Sequence, residues 1–492
     1  MVADDGGSSA MDAHSSACIG NMIRDDNHTT PMPPLQQESL GCGLSKEEAE
    51  QLTNLYFDTI HDVCPMLHRA KYMESTPLSN ASRPMTSLQY IIMALAATHS
   101  EQYNQTSPAL YRQARLLADN GDSIHADASE PTVLQAQAWL LISMYEAQQG
   151  VFSRASISFS HSIRFAQMCQ LHKLPENDHY LQELTAPDWR EIEEQRRTWW
   201  ALFNTDRLLS ATTGWPSLID THDICTPLPA SEQAFAAGQA EPCCTLHALL
   251  ENFVQPTSIF NRNIVAAHLF HESVRHTSHD FSDIELCDTK NGVYWKQHRR
   301  LDNHLSLLRT AISGTTIQLN YRDPHEATVH LYIHAATIRL HQSAMQRYQS
   351  LDLPADLASQ CQDRILLAAE EIVHIIKATS NAKLVMRNPV ALFSVSSAIL
   401  IMMSNLGPDD DSPHCEDNLV FLLNMLAIAG RDNIVAKSLA EQLVIQAKAA
   451  EDDEDMNQQA LNFAISGAGP LLSVTGPDVS STSFRLPSPY RP

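Results

Sequence analysis

Four helix-start signals, spread along the chain, constrain its fold more than any other feature of the sequence. Ser45 and Glu48 fit a capping box, in which each side chain accepts a hydrogen bond from an otherwise unpaired backbone N–H. Ser107, Asp323 and Asn388 each place a capping side chain before a proline, which is tolerated at the first helical position because that N–H has no intrahelical partner. These signals favour helices and are hard to reconcile with a β-sheet protein.

Apolar residues recur at steps of three and four, which is the spacing of one helix face. Residues 132–149 and 152–171 show this period on either side of Gly150, a residue suited to a left-handed helix end, so we expect an antiparallel helical hairpin. An all-α fold is predicted, with further helices at 46–62, 86–98, 108–119, 190–212, 243–276, 294–312, 324–349, 355–378, 389–404, 417–429 and 433–450.

The sequence predicts one large helical body between two disordered tails. Residues 1–44 and 466–492 are rich in Ser, Asp, Gly, Asn and Pro and show no hydrophobic period. Between them we distinguish a first helical region over 45–235 and its helical continuation over 236–465.

Composition limits the partners and the compartment of this chain. Its 57 acidic and 33 basic residues give a formal charge of −24, which opposes binding to nucleic acid unless basic residues cluster locally. The 10 cysteines include no C-x-x-C pair, which is typical of a reducing compartment. The longest apolar stretch, 390–403, is shorter than the roughly 20 residues of a membrane span. We therefore expect a soluble intracellular protein with no membrane partner.

Two histidine patterns suggest metal sites but have simpler interpretations. The stretch from His271 to His276 resembles the zinc motif H-E-x-x-H but is one residue too long, so the two rings do not share a helix face. Glu326, His330 and His334 do lie four residues apart. We interpret these three as a polar stripe on a mostly buried helix, and no metal ligand or catalytic residue is assigned.

Two acidic runs resemble the magnesium-binding motifs of helical terpenoid enzymes. Asp409–Asp411 lies between prolines and reads as a loop, and residues 451–455 adjoin polar sequence and read as surface. Phosphate-binding glycine loops and nucleophile elbows have no candidate in the sequence. A magnesium-dependent helical enzyme therefore remains only a minor alternative, and we predict that the chain is not an enzyme.

The segment 190–212 is predicted to be a central core helix. Ile192, Trp199, Leu202 and Leu209 form one stripe together with Asp206, so the Asp206 carboxylate must be paired or hydrogen-bonded. We expect it to meet an arginine, a histidine or backbone N–H groups. The neighbouring stripe carries Trp200, Phe203 and Arg207, and in the following loop Asp220 and Asp223 are placed to cap short turns.

The sequence RRTWWALFNTDRLLSATTGWPSLIDTHDICTPLP (196–229) resembles the middle homology region of fungal-specific transcription factors. Residues 134–173 look like the preceding helix pair of that family, and 56–73 is similar to its opening segment. The positions that carry the signature are Arg196, Arg197, Trp199, Trp200, Asp206, Arg207, Gly214, Pro216 and Asp223.

The resemblance implies a nuclear transcription regulator, with control of a secondary-metabolite gene cluster as a subtype. Family members carry an N-terminal cluster of six cysteines that binds zinc, whereas only Cys18 and Cys42 precede residue 64 here, and Arg24 is the one basic residue among the first 45. We therefore expect no zinc and no cofactor. DNA would be reached indirectly or through an N-terminal segment missing from this sequence.

The partners expected from the resemblance are the transcription machinery, a DNA-binding protein and a small-molecule effector. A helical protein-interaction scaffold is the alternative function, since the hairpin of residues 132–171 also fits helical repeats.

Overall fold

Helices make up the regular structure of the protein in the computed structural model. The structure describes residues 44–452 apart from 76–80, 122–129, 176–185, 253–255, 257, 280, 314–320, 322, 352, 406–412 and 432. No strand occurs in these ranges, so the predicted all-α fold is confirmed. The predicted tail 466–492 and all but Leu44 of the predicted tail 1–44 lie outside the described residues.

The α-helices of the described ranges are numbered in chain order, with the first group ending before Pro256 and the second beginning after it. The first group is α1 (Lys46–Thr59), α2 (Arg69–Met73), α3 (Arg83–Ala97), α4 (Ser107–Gly121), α5 (Val133–Gln148), α6 (Phe152–Met168), α7 (Ala186–Thr213), α8 (Glu232–Ala237) and α9 (Leu246–Asn252). The second group is α10 (Ile259–Ser278), α11 (Asp283–Cys287), α12 (Val293–Ser313), α13 (Pro324–Ser350), α14 (Ala355–Ala378), α15 (Ala382–Val385), α16 (Pro389–Asn405), α17 (Pro413–Ala429) and α18 (Ile434–Asp452).

Three of the four predicted helix starts are confirmed by their hydrogen bonds. The capping box is complete, because Glu48 N–H donates to Ser45 Oγ and Ser45 N–H donates to the Glu48 carboxylate. Asp323 and Asn388 each accept a hydrogen bond from the backbone N–H two residues on. The prediction for Ser107 was wrong, since its hydroxyl donates to the carbonyl oxygen of Ala94, 2.8 Å away on α3. The Ser107 side chain therefore binds the neighbouring helix α3 instead of capping the start of its own helix.

One long helix predicted from periodicity is divided in the structure. Residues 243–276 form α9 and α10 with Pro256 between them, because proline lacks the N–H that a helix interior needs. The short helices α2, α8, α11 and α15 were not predicted, since four to six residues carry too little periodicity to recognise.

The α5–α6 hairpin is confirmed, and it also contacts the far end of the chain. Gly150 has φ +76° in the turn between the two helices, a conformation that favours glycine. A Cβ at this position would lie 2.8 Å from Cδ1 of Ile434, the first residue of α18. The turn is therefore closed from outside by the start of the last described helix.

One main apolar core extends through both predicted regions of the body, and two smaller clusters lie beside it. Buried residues from Leu52 on α1 to Leu443 on α18 belong to a single connected cluster, which includes Trp199 and Trp200. Helix α13 packs against α10, α14 and α16, and α10 in turn packs against α7. The N-terminal helices are therefore joined to the C-terminal helices through α7 and α10.

The apolar stretch 390–403 lies in α16, which is surrounded by other helices. Helix α16 packs against α13, α14, α17 and α18, and a helix buried on all sides needs apolar residues on all sides. In the described part of the chain, no helix has both the length and the hydropathy of a membrane span.

Glu146 on α5 joins three helices through a buried carboxylate. Tyr111 Oη donates to its Oε1 at 2.6 Å, and Ser158 Oγ donates to its Oε2 at 2.7 Å. The guanidinium of Arg115 on α4 contacts both Glu146 and Ser158. Only 2% of Glu146 is exposed, so its charge relies on these partners rather than on water.

We expect Glu146→Gln to lower the free energy of unfolding by about 2 kcal/mol, because a neutral amide weakens two hydrogen bonds and removes the ion pairs with Arg115 and Arg154. Urea denaturation followed by circular dichroism measures the change. Glu191→Gln is the matched control, because Glu191 is exposed on α7 and its substitution should change the free energy by less than about 0.5 kcal/mol. Equal effects of the two substitutions would contradict the structural role of Glu146.

Several histidines on α10, α12 and α13 are buried. Burial lowers the pKa of His268, His298 and His334 to about 3 and the pKa of His276 and His330 to about 4. Each folded-state pKa lies below the ordinary value of 6.5, so the unfolded chain binds protons more readily than the native chain. Folding is therefore favoured at neutral pH and loses free energy as the pH falls below 6.5.

The free energy of unfolding should decrease as the pH is lowered from 6.5 to 5, a range above that in which ordinary carboxyl groups titrate. Each such histidine contributes a slope of about 1.4 kcal/mol per pH unit once its unfolded form is protonated. His298→Phe should make the slope shallower, whereas His247→Phe should not, because His247 is 79% exposed on α9. Urea titrations at several pH values test this, and a flat profile would contradict it.

Candidate functional site

The three sequence segments that resemble one family meet around helix α7. From the opening segment, the backbone N–H of His68 donates to Glu194 Oε1 at 2.8 Å, and the Lys71 ammonium pairs with the same carboxylate. From the hairpin, Gln137 Nε2 donates to Thr198 Oγ1 at 3.0 Å. Segments distant in sequence are thus assembled on one helix, and we take α7 with its surroundings as the candidate functional site.

A buried cluster of charged residues occupies the N-terminal half of α7. Arg196 Nη1 donates to Glu193 Oε2 at 2.9 Å, and Arg197 Nε donates to Glu193 Oε1 at 3.1 Å. The backbone N–H of Ala230 donates to the same Oε1 at 2.8 Å. All three charged side chains are at most 1% exposed, so their charges are balanced inside the protein.

Arg197 extends this cluster to the segments on either side of α7. Its Nη2 donates to the Ala230 carbonyl at 2.9 Å, and its Nη1 donates to Glu232 Oε1 at 2.8 Å and to the Pro65 carbonyl at 3.3 Å. The guanidinium also lies 4.2 Å from the ring centroid of Phe235, within the range of a cation–π contact. One side chain therefore joins α7 to the opening segment and to the start of α8.

The paired tryptophans are core residues, as predicted. Trp199 is 1% exposed and Trp200 is fully buried. Trp200 Nε1 donates to the Pro227 carbonyl at 2.6 Å, and its ring meets Phe203 edge-on at 5.1 Å. Trp199 packs beside the ring of His172, 5.5 Å away. The pair holds the acidic loop on one side of α7 and the end of the hairpin on the other.

Asp206 and Arg207 hold the loop that follows α7. The Asp206 carboxylate accepts hydrogen bonds from the backbone N–H groups of Leu218 at 2.8 Å and Ile219 at 3.3 Å. Arg207 Nη1 lies 3.5 Å from the same carboxylate, and Arg207 Nη2 donates to the Ile219 carbonyl at 2.8 Å. Asp206 is 2% exposed, so the predicted burial and pairing of this carboxylate are confirmed.

Burial dominates the electrostatics of both charge clusters. It raises the pKa of Glu193, opposed mainly by the guanidinium groups of Arg196 and Arg197. It also raises the pKa of Asp206, opposed by the N–H of Leu218 and then by Arg207. The pKa of the Cys243 thiol, which contacts Arg196, is raised by burial to about 12, so the thiol stays neutral at physiological pH. These groups are placed for pairing rather than for proton transfer.

Three of the predicted signature positions lie at the surface instead. Gly214 has φ +73° where the chain leaves α7, and Pro216 is exposed in the loop that follows. Asp220 accepts a hydrogen bond from the backbone N–H of His222 at 2.9 Å, as predicted for a turn cap. Asp223 is exposed and, among the described residues, its side chain has no hydrogen-bond partner, so its predicted capping role was wrong.

Glu193 was missed by sequence reasoning although a signal was present. It precedes Arg196 and Arg197 by three and four positions, the spacing at which side chains meet on a helix surface. Glu193 is thus the common carboxylate partner of the two arginines, although only the arginines and tryptophans were named from the sequence. The contribution of Ala230 could not be foreseen, because it depends on how the loop folds back.

The two histidine patterns do not form metal sites in the described residues. Glu326 pairs with Arg262, and the His330 ring meets Tyr321 edge-on at 5.0 Å. His271 Nε2 lies 3.2 Å from Ser210 Oγ, whereas His276 stacks on a tyrosine ring. No group of three or more His, Cys, Asp or Glu side chains in the described ranges is arranged to hold a metal ion. Asp409–Asp411 lies outside those ranges, as do residues 453–455 of the second acidic run.

The arrangement around α7 acts as an internal clamp. Its arginines, carboxylates and indoles point at backbone and core, and the loop from Trp215 to Leu218 forms its exposed edge. Buried guanidinium groups are not available to phosphate, so Arg196, Arg197 and Arg207 cannot form a DNA-binding patch in this conformation.

Comparison with known proteins finds a family model that matches this region. The sequence model of the fungal specific transcription factor domain matches residues 53–262, which include α7 and every segment that contacts its charge clusters. The match also includes all nine predicted signature residues.

Curated relatives resemble the chain over a longer stretch at modest identity. The pigment biosynthesis transcriptional activator pigB of Monascus ruber is 25% identical over 358 residues, covering 70% of this chain and 63% of that protein. The citrinin biosynthesis transcriptional activator ctnR of Monascus purpureus is 26% identical, covering 73% of this chain and 62% of that protein. The azaphilone cluster-specific transcription factor azaR of Aspergillus niger is 28% identical, covering 54% and 57%. The chain thus spans less than two thirds of the length of these relatives.

Asp206→Ala should lower the free energy of unfolding by about 3 kcal/mol, because two backbone N–H groups and the buried Arg207 lose their partner. Proteolytic cleavage between 214 and 222 should also become faster, since the loop is no longer held. Asp223→Ala is the matched control, as this aspartate is exposed and should change the free energy by less than about 0.5 kcal/mol. Urea denaturation and limited proteolysis measure both variants, and similar results for the two would contradict the clamp.

Proposed function

We propose that this chain, which carries a fungal specific transcription factor domain over residues 53–262, activates the transcription of genes for a secondary metabolite. The observation that carries the proposal is the match of that domain to the region in which three distant segments converge on α7. Relatives named as activators of pigment and citrinin biosynthesis support the choice of activation and of target class.

We place its action in the nucleus, where transcription factors of this family work. The helical body would serve as the regulatory part of the protein, with the transcription machinery or a second regulator as its partner. The loop edge at Trp215 and Leu218 offers apolar contact area for such a partner, since these side chains are 38% and 47% exposed. The names of the relatives give no support to the enzyme alternative.

Contact with DNA is assigned to another segment or to a partner protein rather than to the helical body. The chain carries a formal charge of −24, and the paired arginines of the signature are buried against carboxylates. Strong duplex binding needs several exposed Lys and Arg side chains near phosphates. Zinc and other cofactors have no part in the proposed role of this body.

A tethering assay tests the proposal without knowledge of the target genes. The full chain is fused to an unrelated DNA-binding domain in yeast that carries a reporter with the matching sites. We expect the fusion to raise the reporter signal above that of the DNA-binding domain alone. Asp206→Ala should reduce this signal and Asp223→Ala should not, provided that immunoblots show nuclear protein at comparable levels. A wild-type fusion with no effect on the reporter would refute activation by this chain.

Gel-shift measurements with the untagged chain test the assignment of DNA contact. We expect no retardation of duplex DNA at physiological salt when the chain is present at micromolar concentration. Tight binding that weakens steeply with added salt would show that the body itself binds phosphate and would overturn this part of the proposal.

A further inference from the structure

A cavity of about 140 Å³ opens between α12, α13 and α14, outside the residues matched by the family. Its apolar wall is made of Leu305, Ile333, Leu367 and Ala368, and its polar wall of Ser306, Arg309, His334, Thr337 and Arg364. An apolar cavity of about 150 Å³ is large enough to hold a benzene ring. The space therefore suits a single ring or a short carbon chain.

His334 is a buried polar group that lines this cavity. Its side chain is 4% exposed, and no hydrogen-bond partner contacts its ring among the described residues. Burial, together with the charges of His330 and Arg309, lowers its pKa to about 3, so the imidazole is neutral at physiological pH. A neutral imidazole can donate one hydrogen bond and accept another. The histidine thus offers a polar contact to whatever occupies the cavity.

Two guanidinium groups lie at the cavity. Arg364 is fixed by Asp302, whose oxygens lie 2.9 and 3.0 Å from its two terminal nitrogens. Arg309 lines the cavity from α12. Asp302 is shared with His341, whose Nε2 lies 3.2 Å from its Oδ1. Two guanidinium groups thus line one cavity of a chain whose formal charge is −24.

We propose that this cavity binds a small organic acid. Its carboxylate would contact Arg309 and Arg364, because guanidinium groups favour planar, doubly hydrogen-bonded pairing with carboxylates. Its ring or short chain would lie against Leu305, Ile333 and Ala368. Arg309 already interacts with other groups of the protein, and its contact with the carboxylate of the ligand would be an additional one.

A hydroxyl group on the acid would find its partner in His334. Bound acid would bridge α12 and α14 across α13 and so stabilise the C-terminal half of the body. The binding itself is independent of the proposed function, and only its use as a signal for transcription rests on that function.

Benzoate and its neutral analogue benzamide are the probes, titrated into the purified full chain and followed by calorimetry or ligand-observed NMR. We expect benzoate to bind with a dissociation constant on the order of 1 mM, and benzamide to bind about tenfold more weakly. Arg309→Gln should weaken benzoate binding about tenfold. Arg300→Gln is the matched control, because it removes the same charge from another exposed position on α12 and should change binding less than about twofold.

Equal affinity for benzoate and benzamide would overturn the proposal, and so would equal losses for the two arginine variants. Because the benzamide comparison uses the unmodified chain, it holds even if a variant folds poorly. Addition of benzoate to the tethering assay separates the two proposals. If benzoate binds but the reporter signal does not change, the cavity is a ligand site without a role in transcription. If the fusion is inactive but still binds benzoate, only the proposed function is rejected.

Discussion

The position of α7 depends on complete pairing of its buried charged side chains, which have almost no contact with water. Glu193, Arg196 and Arg197 are almost completely buried, and an isolated charge in such surroundings would be strongly destabilising. Each is matched by an opposite charge or by backbone groups, and the backbone groups come from segments before and after the helix. The same contacts that neutralise the charges therefore fix the position of these segments. Buried ion pairs of this kind specify one arrangement more than they add stability.

The same principle operates at the other end of the helix. Asp206 and Arg207 bind backbone groups of the loop, and Arg207 also donates to the Thr221 hydroxyl, so side chains of the helix help to set the loop conformation. Between the two charged clusters, Trp200 spans from the core to the Pro227 carbonyl. A helix with three such attachments can present a surface of constant shape.

Much of this arrangement could be predicted from the sequence, and the failures have physical causes. The all-α class followed from the periodicity of apolar residues, and the turn at Gly150 from the backbone preference of glycine. The pairing of the buried Asp206 followed from the unfavourable desolvation of a carboxylate. The role of Ser107 and the partners of Arg197 did not follow, because they depend on groups that tertiary folding brings near. The cavity beside His334 was equally hidden, since three helices must pack before it exists.

The contact between Gly150 and Ile434 has a consequence for how this chain can be divided into fragments. The recognised domain ends at residue 262, yet the turn of its central hairpin is closed by a residue about 170 positions further on. The region defined by sequence similarity is thus smaller than the body that packs around the main core. An expression fragment that ends at residue 262 would lose most of α10, and one face of that hairpin and the face of α7 that packs against α10 would be open to solvent and to aggregation.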